Sequence, residues 1–216
     1  MAFVFEPARE ADGLLTSRKG LAHYLIECSG QRAHAGNNYE DGRSAVVELS
    51  SRIMKLYEQN DNVNKVQFNI AMLKDGGLSI GVVPDYASAK VEVRIRDDKE
   101  YEYVEKAMAS LTEAPYIEGC HTTITQTKRR VPMECTPANH SLYELAAGVA
   151  AGMGMDLPEQ TSGGYGDACL FSSMGIATVD ALGPHMNKIH SFDESMRVSS
   201  VEERLKLFCG ILGALG

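Results

Sequence analysis

The chain has 216 residues, 44% hydrophobic and 23% charged, with a formal net charge of -8, and no basic run longer than Lys128-Arg129-Arg130. This composition supports a core of ordinary size, argues against nucleic acid as a partner, and offers no stretch near the ~18 apolar residues that span a bilayer, so no membrane partner is expected. Five widely spaced cysteines (Cys28, Cys120, Cys135, Cys169, Cys209) with no Cys-x-x-Cys pair fit neither a disulfide framework nor a thiolate zinc site, and the expected compartment is the reducing cytoplasm.

Ala2-Phe3-Val4-Phe5 reads as a short buried strand that begins at once, as if the chain started inside a fold. Residues 21–28 alternate loosely as a strand, and 43–59 carry Val46, Leu49, Ile53 and Leu56 at helical spacing. Period two returns from Lys65 to Leu73. It is cleanest from Ala87 to Arg96, where Ala89, Val91, Val93 and Ile95 oppose Lys90, Glu92, Arg94 and Arg96. Asp97 with Glu100 predicts a capping box for a helix bearing Tyr101, Val104, Met108 and Leu111, and 121–127 form a Thr-rich strand. The order βαββαβ predicts a ferredoxin-like unit of residues 20–130, with two helices on one face of a four-stranded sheet.

Beyond Pro132 the pattern predicts a helix at 141–151, a Gly-rich loop at 162–166 and a short helix from Ala168. An apolar strand, Ile176 to Leu182, follows, and then a last helix opened by Ser199 with Glu202 and buried through Val201, Leu205, Phe208, Ile211 and Leu215. No central sheet is legible among these elements. The expected organisation is an α/β domain made of residues 1–19 and 131–216, into which the ferredoxin-like unit is inserted.

Several residues carry candidate chemistry. His34, in Ala33-His34-Ala35-Gly36, sits between small residues at a strand end; it is either a solvated histidine or a donor to a substrate. Glu6, in Phe5-Glu6-Pro7, ends a strand where α/β domains bind metals and ligands, or else is a solvated or capping carboxylate. His190, with His185 as its competitor, lies in the loop before the last helix and offers an imidazole for zinc; a self-contained site from these two histidines is an alternative. Thr161 to Asp167, with Gly163 and Gly164, reads either as a backbone cradle for a carboxylate or as a turn with Asp167 capping the next helix. Arg94 and Arg130 have the chemistry to clamp an anionic substrate terminus. Cys169 opens a helix, which lowers a thiol pKa, but no histidine stands beside it in the sequence.

Phe5-Glu6-Pro7, Ala33-His34-Ala35-Gly36, Asp41-Gly42-Arg43-Ser44-Ala45, Val83-Pro84-Asp85-Tyr86-Ala87, Val93-Arg94, the Gly-Gly-Tyr-Gly-Asp loop and Ile189-His190-Ser191 together resemble the zinc-dependent exopeptidase family of glutamate carboxypeptidase, aminoacylase and succinyl-diaminopimelate desuccinylase. The resemblance implies a catalytic α/β domain holding two zinc ions and an inserted ferredoxin-like lid that dimerises. It implies that Glu6 and His190 are zinc ligands, that His34 is catalytic and polarises the substrate carbonyl across the dimer, and that Arg94, Arg130, Gly163 and Gly164 bind the free carboxylate of a peptide or acyl amino acid. The implied activity is metallopeptidase hydrolysis of the amide bond next to a C-terminal amino acid, with N-acyl amino acid hydrolysis or a non-catalytic dimerisation module as alternatives.

The family's His-x-Asp pair, bridging Asp and Glu-Glu pair lie upstream of the Phe-Glu-Pro motif, which only four residues precede here. The expectation is therefore a C-terminal portion, inactive by itself, with weak or absent zinc. Gly81 replaces the family's usual Asn before Val82-Val83-Pro84, and Tyr165-Gly166 replaces its commoner Gly-Ser.

Overall fold

A computed structural model describes residues 1–8, 13–60, 66–77 and 79–216. In chain order the elements are β1 (Ala2–Phe3), β2 (Leu14–Arg18), β3 (Gly20–Ser29), β4 (Ala33–His34), α1 (Ala45–Tyr57), β5 (Phe68–Asp75), β6 (Val82–Val83), β7 (Tyr86–Ile95), α2 (Asp98–Ser110) and β8 (His121–Arg130). They continue with α3 (Pro137–Gly152), β9 (Glu159–Ser162), α4 (Ala168–Ser173), β10 (Thr178–Val179), β11 (Met186–Asn187), β12 (Ser195–Met196) and α5 (Ser199–Leu215). Two compact units result, one of residues 1–20 with 131–216 and one of residues 21–130.

In the second unit the sheet runs β5-β7-β3-β8, with β5 antiparallel to β7 and β8 antiparallel to β3. The inward side chains of β7 (Ala87, Ala89, Val91, Val93 and Ile95) are each no more than 2% exposed and share one core with Leu49 and Leu56 of α1 and Val104 and Met108 of α2. Each fully buried Val, Leu or Ile contributes about 1.5–3 kcal/mol, so the alternation of β7 largely decides which face the helices cover. The predicted strand start at Lys65 lies outside the described residues; the ladder with β7 begins at Phe68. Asp97 accepts the Glu100 N–H at 2.8 Å as the capping signature requires, while the Glu100 carboxylate reaches back to the N–H of Arg96 rather than that of Asp97.

A buried carboxylate closes this unit. Glu48 of α1 accepts hydrogen bonds from Arg52 Nε (2.7 Å), the N–H of Ile117 (2.8 Å) and of Tyr116 (3.2 Å), and the Thr122 hydroxyl (3.4 Å). These bonds tie α1 to the 111–120 connection and to β8.

The first unit departs from its sequence reading in instructive ways. β1 runs parallel to β10 and β2 parallel to β9, and a Leu15–Asp180 bridge links the two ladders. Strands are therefore present where no sheet was legible. In β2, Leu14, Leu15, Thr16 and Arg18 are all buried, so both faces are enclosed and no period-two signal exists. The predicted strand from Ile176 to Leu182 contributes only Thr178 and Val179 to a ladder, and Phe5 is 51% exposed rather than part of a buried strand. Helix α3 begins at Pro137, earlier than expected, because Thr136 accepts the N–H of Asn139 and proline suits the first turn.

The last helix is rotated from its expected face. Ser200, Arg204, Leu207 and Ile211 are buried, Phe208 is half-buried, and Val201, Leu205 and Leu215 are exposed. Gly210 sets this rotation, since a Cβ there would lie 2.7 Å from Val149 Cγ1 of α3. The predicted Ser199–Glu202 capping box is absent: Val198 occupies the cap position without a side-chain bond, and the Ser200 hydroxyl instead accepts the N–H of His185 at 2.9 Å.

Burial alone would raise the pKa of Glu48, but the N–H groups of Ile117 and Tyr116 and the Arg52 guanidinium outweigh it and hold the carboxyl below its usual 4.5. A depressed carboxylate contributes stability above pH 4.5 that is lost as pH falls through the lower folded value. Urea titrations of wild type and Glu48→Gln across pH 3–7 are expected to show the variant less stable at neutral pH and the gap closing towards pH 3.

Candidate functional site

The loop carrying His34 is fixed by backbone pairing. β4 is antiparallel to β6, with His34 opposite Val82, and the N–H of Ala35 donates to the carbonyl of Gly81 at 2.9 Å. On its outer side, Arg32 pairs with Asp85 at 2.8 Å, which holds the Asp85 carboxyl below its ordinary range. The His34 ring is exposed, and its Nδ1 accepts the backbone N–H groups of both Gly36 and Asn37 at 3.1 Å. An Nδ1 that accepts two hydrogen bonds cannot carry a proton, so the neutral ring holds its hydrogen on Nε2 and presents it outward as a donor. Sequence reasoning found the residue; the two backbone amides that select the tautomer come from the local fold.

In the other unit, residues 2–8 run beside 177–186. The N–H of Gly183 donates to the Glu6 carbonyl at 3.0 Å, and that of Ala8 to the Pro184 carbonyl at 3.0 Å. A Cβ on Gly183 would stand 2.6 Å from the Phe5 carbonyl oxygen, so only glycine permits this approach. Glu6 is thereby held, half-buried, beside the segment that leads into the β11–β12 hairpin. His190 lies in the turn of that hairpin, exposed, with φ of 67° and its N–H donated to the Glu194 carboxylate at 2.7 Å. Left-handed backbone at a non-glycine residue costs about 1–3 kcal/mol and collects at functional sites. His185 is buried and belongs to the packing under α5.

The Gly-rich loop rests on a residue that sequence reasoning missed. Arg18, 7% exposed, pairs with the fully buried Asp180 at 2.6 Å, donates to the Gly164 carbonyl at 3.1 Å and lies against Gly166. The N–H of Gly164 already donates to the Ser162 hydroxyl, so it is not open to an anion, whereas Gly163 faces open space. Asp167 makes no side-chain cap bond to α4. Cys169, expected to have a lowered pKa, is instead pushed up by burial, against the opposing Gly166 hydrogen bond.

Arg94 and Arg130 belong to the inserted unit. Arg94 Nε and Nη2 both reach Oε1 of Glu92 at 2.8 Å, with His23 on the other oxygen; Arg130 is exposed at the end of β8. Among the described residues no hydrogen bond or ion pair joins Glu6 to His190, or any two of His34, Arg94 and Arg130. Glu6 and His190 offer donor types that suit zinc, but no group of three potential ligands among the described residues includes either. The residues described thus fit a metal in kind and fall short in number.

Residues 16–120 match the family model described as "Peptidase dimerisation domain". The chain is 24% identical over 216 residues to carboxypeptidase G2 of Pseudomonas sp. (strain RS-16), covering 98% of this chain and 52% of the relative. It is 24% identical over 224 residues to succinyl-diaminopimelate desuccinylase of Thioalkalivibrio sulfidiphilus, covering 99% and 57%. The fold is that of aminopeptidase PepT from Bacillus cereus, with a TM-score of 0.82 at 20% identity over 98% of this chain and 56% of that one. Residues 16–120 are thus similar to that dimerisation domain, and along its length the chain is similar to a carboxypeptidase and a desuccinylase. It spans about half the length of the curated relatives it matches.

Removing Arg18 strands the buried Asp180 carboxylate. Arg18→Met is expected to destabilise its unit by about 3–5 kcal/mol, and Arg18→Met with Asp180→Leu to recover much of that loss. Urea unfolding of the two variants at neutral pH checks both.

Proposed function

We propose that this chain supplies the dimerising lid, residues 20–130, and part of the catalytic domain, residues 1–19 and 131–216, of a cytoplasmic, zinc-dependent exopeptidase. It would hydrolyse the amide bond next to a C-terminal amino acid in a peptide or N-acyl amino acid. The observation that carries the reading is the exposed His34, locked by two backbone amides as an Nε2 donor within a peptidase dimerisation domain.

In this reading Glu6 and His190 would hold metal, which when bound lowers the pKa of a coordinated water and polarises the carbonyl. His34 donates from Nε2 to the scissile carbonyl oxygen held by the partner subunit of a homodimer, a preorganised donor aimed where negative charge develops. Arg94, Arg130 and the Gly163 backbone orient the free carboxylate. For Arg94 this means exchanging Glu92 for substrate or adding substrate to that pair. The further ligand types that two zinc ions require would come from residues outside these 216, as would the general base.

Assayed with zinc, the 216-residue chain is expected to leave glutamate-terminated peptides and N-acyl amino acids intact. The product of its full coding sequence is expected to cleave one of these classes, and His34→Ala in that product to lower kcat by about 10²–10³ with KM changed far less. Clear turnover by the chain alone contradicts the division of ligands. A coding sequence that adds no such ligands, with no turnover, favours a dimerisation module without catalysis.

A further inference from the structure

One cluster of metal-ligating side chains shares no residue with the site proposed above. Cys135 precedes the Thr136 cap of α3, His140 stands in the first turn of that helix, and Glu159 opens β9. A single oxygen, Glu159 Oε1, gathers all of them: His140 Nδ1 lies at 3.1 Å, Cys135 Sγ at 3.4 Å and the Thr16 hydroxyl at 2.8 Å. The three potential ligand atoms lie within 4.8 Å of one another, and all three residues are exposed.

These spacings have the scale of a coordination shell. With metal–ligand bonds of about 2.0–2.3 Å, the edges of a tetrahedron measure about 3.3–3.8 Å. The Sγ–Oε1 distance falls inside that range and the Nδ1–Oε1 distance just below it, so the side chains need only small rotations to face a common centre. The surroundings match as well. Behind the ring, His140 Nε2 faces the Glu144 carboxylate at 3.6 Å, one helical turn on, the arrangement in which a carboxylate orients a metal-bound imidazole. Thr16 donates to Glu159 and steadies its carboxylate. A thiolate, an imidazole and a carboxylate form a donor set that suits zinc or cobalt and is unsuited to calcium or magnesium.

We propose that Cys135, His140 and Glu159 form a divalent transition-metal site, with a fourth position open to water or to an external ligand. Binding releases the thiol proton of Cys135 to solvent and takes the Nδ1 lone pair of His140, whose ring hydrogen then sits on Nε2, the nitrogen that faces the Glu144 carboxylate. Today's hydrogen bonds are then the metal-free resting state of the same three groups. The site draws nothing from Glu6 or His190 and stands or falls separately from the hydrolase reading.

Cobalt(II) titration of the reduced 216-residue protein tests it, because a thiolate ligand produces a sulfur-to-cobalt charge-transfer band that oxygen and nitrogen ligands lack. The expected result is a band saturating at one equivalent, retained in Cys209→Ser and in the Glu6→Gln, His190→Ala double variant. Cys135→Ser is expected to abolish the band. Since changing an outer carboxylate costs about 10–100-fold in affinity, Glu144→Gln is expected to weaken binding at least tenfold, and His140→Ala more. Cys135, His140 and Glu144 are solvent-facing, and circular dichroism confirms that each variant is folded. Absence of the band, or its survival in Cys135→Ser, overturns the proposal.

Discussion

The unit formed by the two ends of the chain depends on one buried ion pair. Arg18 and Asp180 are 162 residues apart in sequence, and each is nearly or wholly removed from water. Desolvating two charges costs several kcal/mol per ion, so the pair persists only with good geometry and further hydrogen bonds. Both conditions are met. Arg18 has the Gly164 carbonyl as well as Asp180, and the Asp180 carboxylate also receives the backbone N–H of Ala181. The backbone of Arg18 exchanges two hydrogen bonds with Met133, so the strand leading towards residue 21 and the segment returning after residue 130 are pinned together. One guanidinium thus joins β2, the end of β10 and the Gly-rich loop.

The inserted unit follows the same logic with opposite polarity. Here a carboxylate, Glu48, is buried and surrounded by donors, and it gathers α1, the 111–120 connection and β8. Around each centre the apolar core supplies most of the burial energy without specifying direction. The polar centre selects which of many compact arrangements satisfies every donor and acceptor.

What the sequence made legible follows from range. The alternation of β7 and the Asp97 cap are local, depend on neighbours two to four residues away, and appear in the structure close to where the pattern placed them. The face of α5 was misread because its rotation is set by Gly210 against Val149 on another helix. β2 and β9 escaped notice because they are short and mix Thr, Ser, Gln and Glu with apolar residues in a parallel ladder. Arg18, Asp180, Glu48 and the Cys135–His140–Glu159 cluster are ordinary polar residues until folding brings their partners across 4 to 162 positions.

His34 lies between these cases. Its small neighbours marked it in the sequence, but its chemistry is fixed by two amides in the turn that follows, which make Nδ1 an acceptor and leave Nε2 to donate. That assignment is the link between fold and proposed function, since a neutral ring with its hydrogen on Nδ1 could offer a carbonyl oxygen no hydrogen bond from its outer nitrogen. Long-range ¹⁵N–¹H correlation spectra of the ¹⁵N-labelled protein with neutral imidazoles read the tautomer directly. The account predicts a His34 ring with Nδ1 unprotonated and Nε2 protonated, and a ring protonated on Nδ1 would contradict it.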